Sequence, residues 1–106
     1  MKPEDVATIS HHFGGGVYAK ETLIPMGYTL TQHIHANDHL SILASGKAVV
    51  DVDGEPRTVD GPACLLIRAG RRHSVTSISD VVWYCIHATE ETDASRVDKT
   101  LIAFNG

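Results

Sequence analysis

Three histidines, His33, His35 and His39, stand within seven residues of one another in the stretch Gly27 to Gly46, GYTLTQHIHANDHLSILASG. Neutral imidazole is the commonest protein ligand for a transition metal. Side chains alternate faces along a strand, so His33 and His35 point the same way, and a short turn through Ala36-Asn37-Asp38 brings His39 back beside them. Such a constellation asks for a fourth donor. His73, in GRRHSV after a predicted strand, is the candidate.

Four imidazoles suit iron, manganese, nickel, copper or zinc and disfavour calcium and magnesium, which want oxygen ligands. With no carboxylate in the set, the full dipositive charge stays on the metal centre. The site is then expected to attract an anion and to acidify a bound water. A tetrahedral zinc held by all four histidines would be closed, whereas an octahedral ion would keep two positions for substrate, water or dioxygen.

Alternation also nominates neighbours for a pocket. Thr29 and Thr31 share parity with His33 and His35, Ser41 with His39, and Val75 and Ser77 with His73. These are small and mostly hydroxylated, which leaves room for a polar ligand. The opposite parity carries Tyr28, Leu30, Ile34, Leu40 and Ile42, an apolar face that needs cover from the N-terminal strand, the tail or a second subunit. A homodimer is the preferred cover.

The positioning elements read as short strands. Val6 to Ile9 is a possible edge strand, and His11-His12-Phe13 with Gly14-Gly15-Gly16 reads as a loop. Strands are expected over Val17 to Ile24, Tyr28 to His35, His39 to Ala44 and Lys47 to Val52. Asp53-Gly54 is the strongest hairpin signal in the chain, with Arg57 to Val59 returning. Ala63 to Ile67, His73 to Ile78 and Val81 to His87 follow, divided by glycine, proline and Asp80 turns. A helical turn within 89–99 and a last strand at Thr100 to Phe104 complete the reading, with no long amphipathic helix. This is the pattern of an all-β sandwich or jelly roll.

The bulk properties agree with one small domain. The chain has 106 residues, 42% hydrophobic and 21% charged, with a formal net charge of −4; it is long enough for a single core and too short for two. That net charge gives no basic footprint for nucleic acid, and the scattered acidic residues imply no basic partner. No stretch approaches the ~20 apolar residues of a membrane span and no apolar leader opens the chain, so a cytoplasmic location is expected. Cys64 and Cys85 form no CxxC pattern and read as small buried residues.

The histidine spacing resembles the cupin superfamily, small β-barrels of jelly-roll type. Gly27, His33-Ile34-His35, His39 and Gly46 keep every interval of the family's first motif, with histidine where a glutamate usually stands. The second motif is looser: Gly61, Arg68-Ala69-Gly70, His73 and Ser77, with Arg68 in place of proline, Ser77 in place of asparagine and one extra residue after Gly61. These regions, 27–46 and 61–77, lie between an N-terminal arm and Gly-rich loop (1–16) and a C-terminal tail (89–106). The resemblance to tetra-histidine cupins implies metal ligation by His33, His35, His39 and His73, with at least one exchangeable position.

The expected function is a small metal-dependent enzyme acting on a polar or anionic small molecule, by dioxygenase-type oxidation or by Lewis-acid isomerase or lyase chemistry. The alternative is a metal- or ligand-binding module without turnover, serving as sensor, store or assembly subunit. Tyr84 is a weak candidate for an acid or proton relay. Trp83, Cys85 and His87 share one face of their strand and Val82 and Tyr84 the other, and the sequence leaves open which face is inward. His11 and His12 read as loop residues, His87 as a satisfied or surface histidine, and Arg68, Arg71 and Arg72 as turn charges or a cationic rim that draws in carboxylates.

Overall fold

The computed structural model describes residues 7–31 and 38–89. They form nine strands: β1 (Thr8–Gly14), β2 (Val17–Ile24), β3 (Thr29–Thr31), β4 (His39–Ser45), β5 (Lys47–Val52), β6 (Glu55–Asp60), β7 (Ala63–Ile67), β8 (His73–Ser77) and β9 (Val81–Ala88). The strands pair antiparallel in two sheets, ordered β1-β2-β9-β4-β7 and β3-β8-β5-β6. They stack face to face as a jelly roll.

Two hairpins explain themselves from their turn residues. Asp53 and Gly54 both have positive φ, 52° and 85°, as a type I′ turn between β5 and β6 requires. Gly15 and Gly16, at 60° and 75°, make a similar turn between β1 and β2. The glycines therefore end a strand instead of diluting a loop: His11, His12 and Phe13 lie in β1, paired with Lys20, Ala19 and Tyr18. The expected Tyr28 to His35 strand is described only as Thr29–Thr31, since 32–37 fall outside the described residues. The readings placed on the tail beyond Thr89 also fall outside them.

The interior is divided along its length. One end is apolar, built on Trp83, Leu43, Ile24, Val81 and Ala48, all buried. Backbones approach closely there. A Cβ on Gly46 (φ +94°) would lie 2.2 Å from the Asp80 carbonyl oxygen, and one on Gly61 3.0 Å from that of Leu43. Toward the other end the inward positions turn polar: Ser41 and Cys85 form a cross-strand pair, and beyond them stand His39, His87 and, on the facing sheet, His73.

Candidate metal centre

His39 opens β4 and His73 opens β8, so each stands where a strand of one sheet meets a loop. Both are buried, 4% and 2% exposed, and their ring centroids are 5.8 Å apart across the two sheets. Local bonds fix both strand starts. The Asp38 carboxylate accepts the Ala69 amide N–H (2.7 Å), tying the entry of β4 to the β7–β8 loop. Asp53 does the same for β8: it accepts the Arg72 amide N–H (2.9 Å) and the Arg71 guanidinium (2.8 Å), while its own N–H donates to the Arg72 carbonyl (2.9 Å). The Arg71 side-chain bond, with that from the Arg72 backbone, holds the Asp53 carboxyl below its ordinary range.

His87 joins this pair. Leu40 pairs with Ile86 and Ser41 with Cys85, and the same register sets His87 beside His39, with centroids 4.4 Å apart. Across β2, Tyr18 stacks on His87 at 6.2 Å and on Phe13 at 5.0 Å, and its hydroxyl bonds His11 Nδ1 at 2.7 Å. A row of rings thus crosses the inner face of the five-stranded sheet. One imidazole nitrogen each from His39 and His73 and the Cys85 sulfur all lie within 4.8 Å of one another. Two buried imidazoles and a thiol form a donor set suited to a transition metal.

The other expected site residues fall in different places. His33 and His35 lie outside the described residues. Ser41 is buried and donates its hydroxyl toward Cys85 Sγ (3.6 Å). Val75 belongs to the apolar core.

Ser77 is buried, but at the far end from His73. Its hydroxyl donates to the Pro25 carbonyl, and Tyr28 N–H donates to Ser77 Oγ at 3.2 Å. It closes the β2–β3 turn and does not line the histidine pocket.

Thr29 and Thr31 are exposed, contrary to their expected place in the pocket. Directly paired residues share a face, and Leu30 pairs with the fully buried Val75. Leu30 therefore faces the core, and the threonines face outward with Thr76 and Ser74.

Tyr84 is likewise turned outward, opposite in parity to buried Trp83, Cys85 and His87. Its phenol is pushed above its ordinary range by partial burial and then by the Glu21 carboxylate on the neighbouring strand. It is no proton relay for the buried histidines. Histidine spacing does not single out His87 and Cys85, although the sequence carries one signal for them: Trp83, the bulkiest side chain of β9, shares their parity and is most cheaply placed inside.

The cupin domain profile matches residues 19–87, and the chain belongs to the cupin family. No curated protein matches it in sequence. Solved structures similar in fold include the plu4264 protein of Photorhabdus luminescens, at 18% identity over 81% of this chain and 78% of that one (TM-score 0.69). KdgF of Halomonas sp. follows at 12% over 86% of each chain (0.70). Salicylate 1,2-dioxygenase of Pseudoaminobacter salicylatoxidans is 8% identical over 82% of this chain and 27% of that one (0.72). At these identities the likeness is one of fold. No helix among the described residues is long and apolar enough to cross a membrane.

Proposed function

We propose that this cupin is a metal-dependent enzyme acting on a small anionic compound, with His33 and His35 joining His39 and His73 as ligands. The observation that carries the reading is the buried pair His39 and His73, facing one another across the two sheets in a cluster that, among the described residues, holds no carboxylate. His33 and His35 lie outside the described residues, and their part in the proposal rests on the spacing of the histidine motif.

A cavity of about 780 Å³ lies between β5, β6 and β7, lined by neighbours of His39 and His73 and by neither histidine itself. Val52 and Ile67 line it and are the cross-strand partners of His73 and His39. Arg57, Arg68 and Arg71 line it too. Arg71 is held by Asp53, whereas Arg68 reaches Asp38 only at 3.6 Å. Arg57, opposite inward-facing Val50 on edge strand β6, shares its face and adds cationic charge to the rim. Arg57 and Arg68 draw in and orient the anion, and Val52, Leu65 and Ile67 give it an apolar wall. A bound transition metal supplies Lewis acidity or redox electrons. Dioxygenase-type oxidation and carbonyl isomerisation or lysis are the reaction classes this arrangement serves.

The test is metal content of protein purified without chelators, followed by dioxygen-consumption and carbonyl-isomerisation assays on a panel of small carboxylates. About one transition metal per chain, lost in His73→Ala and diminished in His33→Ala, with metal-dependent turnover, is expected. Absence of stoichiometric metal after reconstitution overturns the metal reading. Saturable carboxylate binding without turnover on any of the panel would favour a ligand-binding module instead.

A further inference from the structure

We propose that Cys85 is a sulfur ligand of the metal, so that β9 contributes a thiolate to the imidazoles of β4 and β8. The proposal rests on the metal reading for His39 and His73 and adds a donor that the histidine spacing did not announce.

Three observations converge on this sulfur. Its Sγ lies within 4.8 Å of a ring nitrogen of each histidine. Ligand atoms at ~2.0–2.3 Å from a shared ion stand roughly 3–4 Å apart, so closing the cluster needs contractions of no more than about 1–2 Å. Sγ also accepts from two donors on its own sheet, the Trp83 indole Nε1–H at 3.3 Å and the Ser41 hydroxyl at 3.6 Å. Donors aimed at a sulfur stabilise negative charge on it, and such bonds around a ligating thiolate tune the metal it holds. Finally, the residue is 3% exposed, in an interior where a dipositive ion with imidazole ligands alone would leave its charge uncompensated. On coordination the thiol proton leaves to solvent and the sulfur lone pair forms the bond, so one of the two positive charges is neutralised inside the barrel.

The second cysteine is a built-in control. Cys64 is exposed and pairs with Ile42 on the outward face of β4 and β7. It cannot reach the cluster, so Cys64→Ser leaves Cys85 as the chain's single cysteine.

The experiment is cobalt(II) titration of metal-free Cys64→Ser protein, with X-ray absorption at the zinc edge of the same protein loaded with zinc. Expected are a sulfur-to-cobalt charge-transfer band saturating at one equivalent and a sulfur scatterer at about 2.3 Å from zinc. Cys85→Ser should lose the band while His39 and His73 still bind cobalt. Should that variant fail to fold, Ser41→Ala keeps the thiolate but removes a donor to it, and the band should move to longer wavelength. Cobalt or zinc bound at one equivalent with only nitrogen and oxygen scatterers overturns the proposal while leaving the metal reading intact. Failure to bind either ion overturns both.

Discussion

His87 shows how a residue outside a recognised motif can shape the site. Its ring lies against His39 at 4.4 Å and is backed by Tyr18, so it limits the orientations open to the His39 imidazole. Among the described residues, the candidate donor atoms that cluster within 4.8 Å belong to His39, His73 and Cys85; on the proposed reading His87 is a positioning residue. Replacing a group that orients a ligating histidine typically costs ~10–100-fold in metal affinity. His87→Leu should weaken binding by that order in competition with a chromophoric chelator while leaving stoichiometry and the cobalt spectrum unchanged. A changed spectrum would make it a ligand. The surroundings of His39 and His73 were only partly legible in the sequence, because parity within a strand says which residues travel together and not which way they face. Pairing decides the direction: Leu30 opposite Val75 turned Thr29 and Thr31 outward, and Trp83 carried Cys85 and His87 inward.

At the scale of elements, the β5–β6 turn and the entry of β8 act as one unit. Asp53 tolerates its positive φ, accepts from Arg71 and Arg72, and sits one residue beyond Val52, the partner of His73. Because its carboxyl titrates below the ordinary aspartate range when folded, its stabilisation is complete above the unfolded value. It is lost as pH falls through the folded one. Asp53→Asn should therefore be less stable than wild type at neutral pH, with the difference closing on acidification; urea unfolding across that range checks it. Hairpins were the elements most readily read from sequence, since Asp53-Gly54 offers the backbone a turn few other dipeptides adopt. The Gly14-Gly15-Gly16 run misled for the same reason: two glycines satisfy a turn, and the flexibility attributed to all three does not extend into His11–Phe13, which pair along β2.

For the whole molecule, the outer face of the five-stranded sheet exposes Leu40, Leu66 and Leu23, with Ile42, Val82 and Ile86 partly covered beside them. A second copy of the chain is the proposed cover, and Leu40→Lys should convert a dimer to a monomer in sedimentation velocity without disturbing metal content. The two-sheet architecture was legible from strand count and turn chemistry, whereas the partition of its interior was not, because that depends on register between strands distant in sequence. The partition has a consequence for how such a protein changes over time. The tight approaches at Gly46 and Gly61 and the Trp83 packing lie at one end, while His39, where the family usually carries a glutamate, lies at the other. An exchange at His39 would alter the charge of that end without touching the close approaches at Gly46 and Gly61. On the proposed reading, the barrel would be permissive to change at the histidine end and intolerant where its backbones meet, an arrangement that would let one scaffold diversify in reactivity at little risk to its stability threshold.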